Sequence, residues 1–276
     1  MRTVRYDNQT VSQIEYLEFI IRNLNIEILV HGRTRLSSDW LHDDITSPFH
    51  RLYFILGGEG LVYNSKESLP LLPGGIYFIP AHSTWSYRCE DSMDQFFVHF
   101  KVTLMEGVDV FEDCSRALKL DWPENRIRTS ISSLEQKDLS GIVNFKSLLF
   151  EIISNLIVIS AVDMIPRIHQ IQKYKELFQY INCNISGELK VTEIVEAMKK
   201  SHSALYKSLK ADTGFSIKNY IDKKLLDTSR EHLLLTDSSI KEIADQLGFR
   251  DQYYFSRFFR KHSGLPPSAY RSRNRM

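Results

Sequence analysis

Two stretches in the C-terminal third of this 276-residue chain repeat one another, and no other feature limits its possible folds as tightly. Val191, Ile194, Val195 and Met198 are spaced i, i+3, i+4, i+7, the apolar face of a short helix; Ile240, Ile243, Ala244 and Leu247 repeat that face 49 residues later. Downstream, Leu205, Leu209 and Gly214 return as Phe255, Phe259 and Gly264, now 50 residues later, so the extra residue falls where each unit must turn. Helix, short turn, helix, glycine, twice over, is the pattern of a duplicated helix-turn-helix. Ser216 to Leu235, with Ile217, Tyr220, Ile221 and Leu225 at helical spacing, reads as the connecting helix.

The first half has a different period. "RLYFILGGEGLVYNS" (Arg51 to Ser65) reads as strand, glycine turn, strand, a tight hairpin. "LLPGGIYFIPAHSTWSYRC" (Leu71 to Cys89) turns at Pro73-Gly74-Gly75 into a strand that Pro80 ends. "DQFFVHFKV" (Asp94 to Val102) and "NIEILVHGRT" (Asn25 to Thr34) are further strands. Short strands with Gly/Pro turns at this spacing predict a small antiparallel barrel or sandwich. From about Ser140 the period becomes helical, with Phe145, Leu148, Leu149, Ile152, Ile153, Leu156 and Ile157 in one wide stripe. "DMIPRIHQ" (Asp163 to Gln170) reads as the linker. The expected fold class is therefore α+β multidomain, divided into a β-rich domain (1–138), a helical segment (139–165) and an all-α domain with two helix-turn-helix motifs (166–276).

Charge follows the same division. The net charge of +1 conceals 16 Lys+Arg against 22 Asp+Glu in residues 1–168, and 19 against 12 in residues 169–276. A basic half joined to an acidic half suits a polyanion-binding module attached to something else. The apolar run Leu148 to Val162 is interrupted by Glu151 and Asn155, which argues against a membrane span. The N-terminus lacks a basic-then-apolar signal peptide, and Cys89, Cys114 and Cys183 are too scattered for a disulfide framework. A cytoplasmic protein is expected.

The stretch "GFRDQYYFSRFFRKHSG" (Gly248 to Gly264) packs six aromatic rings and four Lys/Arg into seventeen positions. On a helix, Phe255 and Phe259 face inward, leaving Arg250, Gln252, Tyr254, Ser256, Arg257 and Arg260 outward, with Asp251 as N-cap. In the first unit the second helix starts near Ser201, and His202, Ser203, Tyr206, Lys207 and Lys210 lie on its outward face. Such a helix places its N-terminal part in a DNA major groove, where Gln can pair with adenine and Arg with guanine. The competing reading is a protein-binding helical bundle with merely solvated charges.

"SIKEIADQLGFRDQYYFSRFFRKHSGLPPSAYR" (Ser239 to Arg271) closely resembles the signature of the AraC/XylS transcription regulators, filled at Ala244, Gly248, Phe249, Phe255, Phe259, Gly264, Pro267 and Tyr270. The first unit departs from it, with Val195 at a small-residue position, Lys199 at a Gly position and Leu209 at a Phe position. In the connecting helix, Leu225 stands at an Arg position and Ser229 at an Ala position. The resemblance implies a bihelical DNA-binding domain, a double-stranded DNA operator and a transcriptional role, most often activation by contacting RNA polymerase.

The first half, through "GEG", "LPGGIYFIPAHSTWSY" and "DQFFVHF", is similar to the cupin-like sensor barrel of that family. The resemblance implies a small-molecule effector, for instance a sugar or sugar derivative, stacked on aromatic rings. By motif position Trp85, Tyr87, Gln95 and Phe97 are pocket residues, followed by Tyr53, Tyr77 and His82. Aromatic faces stack on sugar C–H groups, while phenol, amide and imidazole bond its hydroxyls. The competing reading is that these rings are ordinary core. The stripe through Phe145, Leu149, Ile152 and Leu156 fits two roles, pairing in a homodimer, as the resemblance to the family implies, or covering the barrel.

Many cupins are metal enzymes, but the His-x-His pair is missing: His50, His82 and His99 stand in separate segments. No cofactor, metal or catalytic constellation is expected. Two alternatives stay open: a ligand-independent regulator whose barrel only dimerises, and a metal-dependent cupin enzyme with an accessory helical domain.

Overall fold

The computed structural model describes residues 18–105, 108–161, 172–199 and 202–275. Its strands are β1 (Asn25–Ser37), β2 (Leu41–Thr46), β3 (His50–Gly58), β4 (Gly60–Tyr63), β5 (Ser68–Leu71), β6 (Gly75–Ile79), β7 (Thr84–Arg88), β8 (Ser92–Met105), β9 (Val108–Asp109) and β10 (Leu118–Asp121). Helices follow: α1 (Glu124–Glu135), α2 (Leu139–Ile159), α3 (Lys175–Cys183), α4 (Val191–Ala197), α5 (His202–Thr213), α6 (Ile217–Leu235), α7 (Ile240–Gln246), α8 (Gln252–Ser263) and α9 (Pro267–Asn274).

One sheet runs β1-β8-β3-β6-β10, with β9 on β8, and a second runs β2-β7-β4-β5. Their strand pairs are antiparallel. The side chains of β3 show how the layers stack. Tyr53 and Ile55 enter a core shared with Trp85 and Tyr87 of the second sheet. Leu52 and Phe54 point the other way, into a core shared with Phe145 and Leu149 of α2. A strand buried on both faces loses its polar alternation, which is why "LYFIL" reads as an unbroken apolar run.

The glycine segment after β3 does not make the expected hairpin. Strand β3 pairs with β6 and β8, whereas β4 pairs with β5 and β7, so residues 57–60 carry the chain from one sheet to the other. Gly58 has φ +68°, and a Cβ there would lie 1.9 Å from the Ser92 carbonyl oxygen. Only glycine tolerates both the conformation and that approach. Nor is the expected barrel closed. Among the described residues β1 and β10 end one ladder and β2 and β5 the other, because the corners join the sheets through loops rather than hydrogen bonds.

Helix α2 is long and apolar enough to cross a membrane by length and composition alone. Asp138 caps it, its carboxylate accepting the Gly141 N–H at 2.6 Å. The face expected to form a dimer is instead internal: Phe145, Leu149, Ile152 and Leu156 are buried within the chain, with the Phe145 ring 5.5 Å from Phe96. The sheet behind the helix supplies enough apolar surface to cover that stripe. The opposite face, with Leu139, Val143, Phe150 and Val158, is exposed. The expected linker, residues 163–170, lies outside the described residues.

Sheets and helices meet through polar contacts. Tyr270 of α9 donates its hydroxyl to the Thr46 carbonyl at 2.8 Å, and the Thr46 N–H donates to Asn274 Oδ1 at 2.8 Å. Lys101 of β8 pairs with Glu231 of α6 at 2.5 Å, and Lys223 of α6 pairs with Glu112.

Candidate nucleic-acid interface and inter-sheet site

The repeat seen in the sequence is a repeat in space. Helices α4 and α7 each have seven residues, and α5 and α8 each have twelve. Between the paired helices the chain turns through a left-handed residue: Lys199 at φ 50° in the first unit, Gly248 at φ 65° in the second. Gly214 (φ 75°) and Gly264 (φ 81°) follow α5 and α8 in the same conformation. The first unit is packed less deeply. Val195 and Met198 are half-buried, whereas the matching Ala244 and Leu247 are buried.

Local chemistry sets each helix of the second unit. Ser239 and Glu242 form a reciprocal capping box on α7. Asp251 caps α8, its carboxylate accepting the Tyr254 N–H at 2.7 Å. That backbone hydrogen bond, with Arg250 beside it, holds the Asp251 carboxyl below its usual range. Phe249, Phe255 and Phe259 stack inward, with Phe249 5.2 Å from Phe255 and Phe255 5.9 Å from Phe259. Tyr270 closes the cluster, 5.3 Å from Phe259. Arg271 bonds the Leu233 and Ser238 carbonyls at 3.0 and 2.6 Å, tying off the end of α6. Within α6, the buried Ser229 hydroxyl is satisfied by the Leu225 carbonyl at 2.6 Å.

Of the predicted outward residues, Arg250, Tyr254, Arg257 and Arg260 are exposed, while Asp251, Gln252 and Ser256 are half-exposed along the same helix start. Arg257 lies over the Tyr254 ring at 6.0 Å. On α5, Ser203, Tyr206, Lys207 and Lys210 are exposed, and Lys210 lies over the Tyr206 ring at 5.7 Å. His202 opens α5, but its side chain and Ser201 lie outside the described residues. Among the described residues Lys207, Lys210, Arg257 and Arg260 have no carboxylate within 4.0 Å. Cations left without carboxylate partners on two matching helices suit a polyanion. Tyr253, 71% exposed beside Gln252, was not foreseen; a ring in an aromatic-rich helix reads as core, and only its offset from Phe255 and Phe259 marks it as outward.

The predicted pocket residues separate into groups. Tyr53, Tyr77, Trp85, Tyr87 and Gln95 are buried and Phe97 is half-buried. Trp85 donates to Ser83 Oγ at 2.8 Å, and the Tyr77 hydroxyl accepts the Leu72 N–H at 2.8 Å, so both polar tips serve their own turns. Tyr53, Tyr87 and Gln95 remain, joined by an unforeseen residue. Arg51, only 2% exposed, donates from Nη1 to the Tyr87 hydroxyl at 3.0 Å. Burial pushes the Tyr53 and Tyr87 phenols above their usual range, so both stay neutral.

His82 is elsewhere. Its backbone has φ 59° and its Nδ1 lies 3.8 Å from Asp227 of α6, in a crevice between sheet and helix. A turn residue in that conformation projects toward α6 rather than between the sheets. His50 accepts the Ala81 N–H at Nδ1, so its Nε2–H donates to Asp109 at 2.8 Å. His50 and His82 thus serve other contacts. Among the described residues no three His, Cys, Asp or Glu side chains converge as metal ligands would.

Comparison with known proteins agrees with this geometry. A helix-turn-helix domain model matches residues 194–273. The Msm operon regulatory protein of Streptococcus mutans is 22% identical over 271 residues, covering 93% of this chain and 96% of that protein. The raffinose operon transcriptional regulatory protein RafR of Pediococcus pentosaceus is 22% identical, covering 80% and 83%. The transcriptional activator RhaR of Mannheimia succiniciproducens is 23% identical, covering 82% and 85%. ToxT of Vibrio cholerae has the same overall fold, with a TM-score of 0.51 at 14% identity, over 90% of this chain and 99% of that one. The domain match gives residues 194–273 an AraC-type helix-turn-helix domain, and along most of its length the chain is similar to transcriptional regulators.

Proposed function

We propose that the chain is a transcriptional regulator that reads a double-stranded operator with α5 and α8 and answers to a small molecule held by its N-terminal sheets. The observation that carries this reading is the paired geometry of the two helical units, each presenting outward a tyrosine with a cation over its ring. Both units act as helix-turn-helix readers. Helix α6 has 19 residues, about 28 Å at 1.5 Å per residue, comparable with the roughly 34 Å that separates successive major-groove faces. Gln252, Arg257 and Arg260 read or grip from the second unit, and Ser203, Tyr206, Lys207 and Lys210 from the first. Asp251 shapes the helix start rather than touching bases.

The N-terminal part, residues 1–138, is a cupin-like effector domain; residues 139–165 support a homodimer, and residues 166–276 form the DNA reader. Exposed Leu139, Val143 and Phe150 of α2 favour that face, rather than the buried one, as the dimer contact. RafR is named for a raffinose operon, and the relation supports a sugar or sugar derivative as effector. Activation through RNA polymerase in the cytoplasm completes the reading.

The test is binding of the purified chain to a randomised duplex pool across a salt series. An enriched motif and a steep fall of affinity with salt are expected. Binding with no enriched motif, or no binding, would remove the reading.

A further inference from the structure

Arg51 is a charged residue in the wrong place for a structural strand residue. It sits on β3 between His50 and Leu52, 2% exposed, on the sheet face that looks toward β7. One nitrogen donates to the Tyr87 hydroxyl at 3.0 Å, and the guanidinium carbon lies 5.5 Å from the Phe49 ring and 5.6 Å from the Tyr87 ring. Its Nε is buried with no hydrogen-bond partner. Among the described residues no carboxylate lies within 4.0 Å of it. Phenols and ring faces stabilise a cation, but they do not neutralise it, and an unpaired buried charge is costly.

Two further orphaned atoms share that face of the sheet. His99, directly across from Arg51 on β8, has its Nδ1 buried and unpartnered, and Gln95, four residues along β8, has its Oε1 in the same state. Burial and the nearby Arg51 charge lower the His99 pKa to about 3, so its ring is neutral and free to bond a polar ligand. Buried polar atoms are nearly always satisfied, and a row of three that are not marks where a partner belongs.

We infer that the inter-sheet site takes an anionic small molecule, a sugar acid or sugar phosphate, whose carboxylate or phosphate closes on Arg51 with His99 beside it. A planar guanidinium fork matches either group, whereas a neutral sugar leaves the charge unpaired. Gln95 takes a hydroxyl at the far end. The inference rests on the effector reading above and narrows it.

The experiment measures Tm of the full chain with galacturonate, gluconate, glucose 6-phosphate, galactose and raffinose at matched ionic strength. A rise with anionic compounds, absent with galactose and raffinose, is expected. The acid and phosphate arms separate the two sources. In Arg51→Met the rise disappears, while Tm without ligand increases, because an apolar side chain of similar length relieves the lone charge. Gln95→Leu weakens the response but keeps its anion selectivity, and serves if Arg51→Met does not fold. Neutral sugars that stabilise the wild type and Arg51→Met alike would overturn the anionic assignment while leaving an effector in place. No response to any compound, with operator binding indifferent to cell extract, would overturn the effector reading and this inference together.

Discussion

Tyr270 joins the two halves of the molecule: its hydroxyl bonds the Thr46 carbonyl of β2 at 2.8 Å while its ring stands 5.3 Å from Phe259 in the core of the second helical unit. One side chain is thus common to the sheet domain and to the packing behind α8. Tyr270→Phe removes the bond and keeps the ring, and should lower stability by about 1 kcal/mol. Tyr270→Ala should lose about 3–5 kcal/mol by emptying the aromatic cluster. Denaturant unfolding of both variants checks the pair; a Tyr270→Phe protein as stable as the wild type would show that the hydroxyl does not join the halves.

Helix α2 offers a paired test. Phe145→Ala should destabilise the chain by about 3–5 kcal/mol, because its buried ring packs on Phe96. Phe150→Glu, on the exposed face, should leave the fold intact and shift sedimentation from dimer to monomer. A Phe150→Glu protein that stays dimeric would place the interface elsewhere.

Lys199 holds φ 50° at the turn where the second unit has Gly248. Lys199→Gly should stabilise the protein by roughly 1 kcal/mol, since glycine carries no penalty in that conformation. Chemical unfolding reads the change, and a loss of stability would mean that the lysine side chain makes a contact worth more than the strain.

His99 sets an acid limit. Its folded-state pKa of about 3 is depressed below the ordinary 6.5 by burial and by Arg51. The unfolded chain therefore binds the proton more readily, and stability falls as pH drops from about 6.5 toward 3. Above that window the contribution is fully present. His99→Phe should flatten this part of the stability profile; an unchanged slope would show that other groups set it.

The repeat was legible because both units space their apolar residues alike and end on a glycine, and the 49- and 50-residue offsets survive intact in α4 to α8. The inward and outward faces of α8 followed from the same period. The sheet switch at Gly58 was not legible, since a glycine turn looks the same whether it returns along one sheet or crosses to another. Burial of the Phe145 stripe could not be told from dimerisation by periodicity, because both need an apolar face. Arg51 was overlooked because a charge at a strand end reads as surface, although its alternation with Tyr53 and Ile55 places it on their face. Sequence period reports which residues share a face; what covers that face depends on contacts far apart in the chain.

The most direct test of the account compares wild type, Arg257→Ala and Lys210→Ala on a randomised duplex pool. The account predicts one enriched motif for the wild type. Arg257→Ala should relax preference at a single base and lose about 1–3 kcal/mol on the best site. Lys210→Ala should weaken all sequences alike and reduce the salt slope by about 1. A wild-type protein that enriches no motif, or variants that leave both motif and salt slope unchanged, would contradict it.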